Sequence, residues 1–277
     1  MAAPPAAAMI AANRPGTKPM SNPTVLITGA SAGIGAAYAD RFARRGHPLV
    51  LVARDAARLA ALAETLRAAH GIRAEPLPAD LTDPGGLAAV EARLAGDSEI
   101  GVLVNNAGAV GAGGFLGTTA AQIEALIALN VTALTRLAAA VAPRFAAAGA
   151  GAIVNVGSIV GLMPERPFGI YGATKAYVLA LSQTLQAELG PRGVYVQAML
   201  PPATATEIWQ RAGRDTSRLP PMMAVDALVD AALLGFDRRE PVTIPSLPDW
   251  TQWEAHDAAR KAMGANLLQP TVSARYR

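Results

Sequence analysis

Thr28-Gly29-Ala30-Ser31-Ala32-Gly33-Ile34-Gly35 follows the apolar run Thr24–Thr28 (TVLIT) and opens a stretch with helical spacing, Ile34–Gly46. A strand that passes into a helix through a glycine-rich turn lets backbone approach a pyrophosphate. The helix N-terminus adds unpaired N–H groups and the positive end of its dipole. The spacing is G-x-x-x-G-x-G rather than G-x-G-x-x-G, so its weight comes from its place after the first strand. Gly29, Ser31, Ala32, Gly33, Ile34 and Gly35 are the candidate phosphate-binding residues.

Outward from this turn, short apolar runs alternate with Ala/Leu/Arg-rich stretches. The runs are Pro48–Ala53, Ile72–Pro76, Ile100–Val104, Ala152–Val156, Val194–Leu200 and Val242–Pro245. The helical stretches between them are Ala56–His70, Pro84–Gly96, Ala120–Ala148 and Tyr171–Leu189. Buried runs separated by helices predict an α/β fold: a Rossmann-type, doubly wound parallel sheet of about seven strands with helices on both faces. Pro143, near the end of the long stretch Ala120–Ala148, is expected to kink or terminate it. No linker, repeat or composition break follows residue 22, so residues 21–277 read as one domain. The Ala/Pro-rich residues 1–20 read as a disordered extension.

Composition excludes several classes. With 52% hydrophobic and 16% charged residues the chain is globular rather than disordered. Its net charge of +3 comes without any long Lys/Arg block, which argues against nucleic acid as a partner. There is no cysteine, and the three histidines (His47, His70, His256) are far apart, so no metal site is expected. Gly101–Ile123 carries no charge and is long enough to cross a bilayer, but Asn105, Asn106 and its many glycines suit a strand and loop instead. No membrane association and a cytoplasmic location are the expectations.

The second strand bears on which dinucleotide the turn would hold. An acid at its end suits the ribose hydroxyls of NAD, whereas an arginine suits a 2′-phosphate. Here Ala53 stands at the acid's position and Arg54 follows, so NADP(H) is expected. Asp55 is placed to pair with Arg54 or to cap the next helix.

Tyr171 and Lys175 are four residues apart and share one helix face. A phenol is a feeble acid or base near neutrality, and a neighbouring ammonium favours its ionised form. Ser158 lies just beyond the fifth run, at the carboxyl end of a strand, where ligands of such sheets bind and where a hydroxyl can meet a reacting oxygen.

Taken together, the TGASAGIG turn, Asp80-Leu81, Asn105-Asn106-Ala107-Gly108, Asn130, Ser158 and Tyr171-x-x-x-Lys175 resemble the short-chain dehydrogenase/reductase family, in its short single-domain branch, over residues 23–250. The resemblance implies strand order 3-2-1-4-5-6-7 and hydride exchange between NADP(H) and a small-molecule carbonyl or alcohol. It implies Tyr171 as general acid/base, Lys175 as ribose ligand, Ser158 as carbonyl-orienting group and Asn130 as holder of a relay water. Cofactor contacts extend by the same resemblance to Asp80, Leu81, Asn106, Ala107, Gly108, Pro201, Thr204 and Thr206, with Asn105 stabilising the central strands and bordering the cofactor. The family usually has Pro-Gly after the sixth strand; here the residues are Pro201-Pro202, and the second proline removes an N–H and fixes φ. Family members are commonly homodimers or homotetramers.

Residues 207–224 (EIWQRAGRDTSRLPPMMA) read as a substrate lid, with Ile159, Val160, Met163, Phe168 and Trp209 as candidate walls of a largely apolar pocket. Arg211, Arg214 and Arg218 are weighed as contacts for an anionic substrate against a solvated surface. The extension 248–277 contains Trp250, Trp253 and a helical stretch to about Met263. Two rival functions stand beside carbonyl reduction: a non-catalytic NADP(H)-sensing regulator, and isomerisation or dehydration on a retained cofactor.

Overall fold

The computed structural model describes residues 22–111, 114–213 and 221–277; the extension expected over residues 1–20 lies outside them. Two compact units are present, the first ending at Ile244 and the second running Pro245–Arg277. The second unit carries a helix, Thr251–Leu267, longer than the stretch to Met263 expected from its sequence.

The first unit contains strands β1 (Thr24–Thr28), β2 (Leu49–Ala53), β3 (Ala74–Pro78), β4 (Ile100–Asn105), β5 (Ala152–Val156), β6 (Tyr195–Met199) and β7 (Val242–Thr243). They form one sheet in the order β3-β2-β1-β4-β5-β6-β7, every pair parallel, which is the order expected. Around it lie α1 (Gly33–Arg44), α2 (Ala56–His70), α3 (Pro84–Gly96), α4 (Ala120–Ile127), α5 (Leu134–Ala148), α6 (Gly169–Leu189), α7 (Ile208–Arg211) and α8 (Val225–Asp237). All residues of β1, β5 and β6 are buried, because helices cover both faces, and hence the runs show no polar alternation. One core layer gathers Tyr38, Phe42, Leu59, Leu66, Leu228 and Val229 from α1, α2 and α8. The opposite layer gathers Leu87, Val90, Leu94, Leu137, Val141 and Phe145 from α3 and α5.

Several details depart from the sequence reading. Strand β3 is shifted two residues onward from Ile72–Pro76, and it contains Pro76 and Pro78. It is an edge strand, and the Ala79 N–H donates to Ala53 O at 3.0 Å, so the odd-numbered residues face β2 while both prolines aim their missing N–H outward. The long stretch Ala120–Ala148 divides into α4, a π-helical segment Ala128–Ala133 and α5. Of the two outcomes expected for Pro143, termination does not occur: α5 runs on to Ala148 and is closed by Gly149 at φ +65°. Helix α8 has no counterpart in the sequence reading, and α6 starts at Gly169, two residues early. Among the described residues Ala120–Ala148 is long and apolar enough to cross a membrane by length and composition; in this fold Leu134, Leu137, Ala138, Val141 and Phe145 of that stretch are buried in the core.

Candidate active site

A cavity of about 940 Å³ opens along the carboxyl ends of β1, β2, β4, β5 and β6. Strand order reverses between β1 and β4, and the crevice at such a switch point is where doubly wound sheets bind ligands. Gly29, Ser31, Ala32, Gly33 and Ile34 form one wall, below the N-terminus of α1. Gly29 and Gly33 have φ of +65° and +54°, and a Cβ on Gly29 would lie 2.8 Å from Asn106 Nδ2. Positions 29 and 33 therefore admit no side chain and present bare backbone. Gly35 does not line the cavity. A Cβ there would sit 2.3 Å from the carbonyl oxygen of Gly29, so this glycine serves the close packing of α1 on the turn.

Asn106 fastens the same turn. Its Nδ2 donates to Thr28 O at 2.9 Å and to Gly29 O at 3.2 Å, while Thr28 Oγ1 accepts from the N–H groups of Asn106 and Ala107, both at 3.0 Å. Asn106, Ala107 and Gly108 line the cavity, whereas Asn105 is buried behind it. The Asn105 amide donates to Asn155 Oδ1 at 3.0 Å and to Leu134 O at 3.3 Å, cross-linking β4 to β5 and α5. It does not border the cavity.

At the end of β2, Arg54 lines the cavity with a largely exposed side chain, 3.9 Å from Asp80. Asp55 is the N-cap of α2, accepting from the Arg58 N–H at 3.0 Å, so its carboxylate is engaged with the helix. Asp80 and Leu81 are also wall residues, and hydrogen bonds from the Thr82 hydroxyl and N–H hold the Asp80 carboxyl below the usual range.

The opposite end gathers Ser158, Tyr171 and Lys175. Ser158 Oγ accepts from the Val160 N–H at 3.3 Å as the cap of a short 3₁₀ turn, Ile159–Leu162. Tyr171 and Lys175 occupy the first turns of α6, and the Lys175 ammonium lies 5.9 Å from the centre of the Tyr171 ring. Lys175 donates to Val156 O at 2.9 Å, and burial pushes its pKa down to about 8. Asn130 lies in the π-helical segment and does not line the cavity. Its Oδ1 accepts from the Ala109 N–H at 2.9 Å, and its Nδ2 donates to Ala109 O at 2.9 Å and to Thr174 Oγ1 at 3.1 Å. With both amide hydrogens engaged, this side chain positions the loop after β4.

The family model for short chain dehydrogenases matches residues 23–217. The chain is a short-chain dehydrogenase. It is 63% identical to a short-chain dehydrogenase from Sphingobium yanoikuyae solved in complex with NADPH, which covers 92% of this chain and 100% of that one with a TM-score of 0.91. It is 52% identical to a bulky-bulky ketone specific alcohol dehydrogenase from Comamonas testosteroni, over 93% of this chain and 99% of that one, with a TM-score of 0.87. The very-long-chain 3-oxoacyl-CoA reductase-A of Danio rerio is 33% identical over 187 residues, 66% of this chain and 58% of the relative, so the chain spans under two thirds of that protein.

In this short-chain dehydrogenase the third wall is apolar. Val110, Val160, Tyr171 and Trp209 pack as a cluster, joined by Phe168, Ala203, Ile208 and Met222. Val160, Met163, Phe168 and Trp209 all line the cavity, as do Ile159, Val110, Ile208 and Arg166, the last three not singled out by sequence reasoning. Val110 lies two residues past Gly108 in an irregular loop, where no periodicity marks a facing residue. Pro201, Pro202, Thr204 and Thr206 close the wall after β6. Thr204 Oγ1 donates to Pro202 O at 2.9 Å, and the Trp209 indole donates to Thr204 O at 2.8 Å, so the segment is fixed without a glycine. Arg211 is ion-paired with Glu207 at 2.7 Å, and Glu207 also meets Arg58 at 2.9 Å. Arg214 and Arg218 lie outside the described residues, as does the middle of the segment 207–224.

Proposed function

We propose that this protein is an NADP(H)-dependent carbonyl reductase acting on ketones with bulky apolar substituents. The observation that carries the reading is the convergence of Ser158, Tyr171 and Lys175 on one cavity that is also lined by a turn whose Gly29 and Gly33 present bare backbone. That turn and the N-terminus of α1 fit a pyrophosphate, and Arg54 stands where a 2′-phosphate would be met. Asp80 and Leu81 would flank the adenine, while Gly108, Pro201, Thr204 and Thr206 would border the nicotinamide half. The relative solved with NADPH supports this cofactor, and the bulky-ketone dehydrogenase supports this substrate class.

NADPH, held by these residues, would supply the hydride. Tyr171 supplies the proton to the carbonyl oxygen, and the Ser158 hydroxyl donates a hydrogen bond that orients that oxygen. The Lys175 ammonium, beside the Tyr171 ring, favours the phenolate left behind. Asn130 acts at one remove by holding the Ala109 backbone. A relay water near Asn130, a cytoplasmic location and a homodimer or homotetramer complete the proposal, on the family resemblance.

Oxidation of NADPH, with NADH in parallel, is measured against aryl-alkyl and diaryl ketones, aldehydes, quinones and 3-oxoacyl thioesters. Turnover of bulky ketones with a preference for NADPH is the expected result. Absence of turnover with either cofactor, despite NADPH binding, would replace this reading with the regulator.

A further inference from the structure

Among the described residues four cationic side chains line the cavity: Arg54, Arg166, Lys175 and Arg211. Three are committed. Arg54 sits beside Asp80 at the end proposed for the 2′-phosphate, Lys175 is buried on Val156 O, and Arg211 is neutralised by Glu207. Arg166 has no carboxylate partner among the described residues. The carboxylates of the wall are held elsewhere: Asp55 by the start of α2, Asp80 by Thr82, and Glu207 by Arg58 and Arg211.

The backbone of Arg166 is also fixed relative to the reacting end. Its N–H donates to Met163 O at 3.0 Å, and its carbonyl accepts from the Phe168 N–H at 2.8 Å, which ties the turn between two wall residues. The Phe168 ring centre is 6.2 Å from that of Tyr171, and Arg166 is two residues from Phe168, about 7 Å of chain at most. Arg166 lines the cavity together with the apolar Val160, Met163 and Phe168.

Resting on the carbonyl-reductase reading, we propose that Arg166 is a specificity-determining residue that selects ketones bearing a carboxylate a few apolar bonds from the carbonyl. A guanidinium offers a planar fork that matches a carboxylate, and the apolar residues lining the same cavity suit the carbon chain between carboxylate and carbonyl. Because Arg166 is exposed, the preference is modest: about three- to ten-fold in kcat/KM over the neutral ester.

The test compares 4-oxo-4-phenylbutanoate with its methyl ester as substrates for the full-length protein with NADPH at pH 7, in low and high salt. The expected acid-to-ester ratio of kcat/KM is about three to ten in the native protein, falling in high salt and approaching one in Arg166→Gln, while Arg166→Lys keeps part of it. Turnover of the ester with a native ratio of one or below overturns the proposal and leaves the carbonyl-reductase reading standing. A native preference that Arg166→Gln does not change overturns it too, since another cation then reads the anion. Turnover of neither ketone, with NADPH bound, counts against both readings.

Discussion

The Lys175 ammonium donates a 2.9 Å hydrogen bond to the backbone carbonyl of Val156, the last residue of β5, nineteen positions earlier. This contact ties α6 to the strand end beside Ser158 and keeps a cation in a buried place. Burial lowers the Lys175 pKa from 10.5 to about 8. The folded value lies below the unfolded one, so between about pH 8 and 10.5 the folded chain holds fewer protons, and this group adds stability as pH rises through that window. In cofactor-free protein, Lys175→Met is therefore expected to be more thermostable than native near pH 7 and to lose that advantage by pH 10. Thermal melts across this range check it; a pH-independent difference would contradict a charged lysine held at a cost.

Gly35 packs on the turn and does not face the cavity, so its replacement should act on stability. A Cβ at position 35 would meet Gly29 O at 2.3 Å, and backbone must move to admit it. Gly35→Ala is expected to cost about 1–3 kcal/mol, lowering Tm by roughly 2–12 °C. Calorimetry measures this; an unchanged Tm would show that the turn yields freely.

The fold was legible because two-sided burial and helical periodicity are local signals. The order of the sheet followed from the resemblance carried by a few motifs, and the strands form it as expected. What the sequence concealed was decided by context. Pro76 and Pro78 argue against a strand anywhere but at an edge with their nitrogens outward, a register that depends on the partner β2. Helix α8 carries buried Leu228, Val229, Ala232 and Leu233 at helical spacing, a pattern masked by the lid-like residues that run into it. In the site, motif glycines look alike as letters, yet Gly29 faces the cavity and Gly35 faces backbone. Asn105 and Asn106 are adjacent, and alternation along the chain puts the first behind the sheet end and the second on the wall. Arg166 and Val110 sit in irregular loops, where no period indicates facing.

Arg54 is expected to discriminate between the dinucleotides. It lines the cavity at the end of β2, and its nearest carboxylate, Asp80, is 3.9 Å away and already bound by Thr82. Arg54→Ala should weaken NADPH binding about ten-fold and NADH binding less than about two-fold. Fluorescence titrations with both cofactors measure the ratio, and an equal effect on the two would remove Arg54 from the phosphate site.

The most direct test of the account is Tyr171→Phe, assayed for NADPH affinity and for turnover of a ketone that the native protein reduces. Without the hydroxyl no proton reaches the carbonyl oxygen, so kcat is expected to fall by about 10²–10⁴-fold while NADPH affinity changes little. Near-native turnover in this variant would contradict the assignment of Tyr171 as the proton donor and, with it, the proposed chemistry.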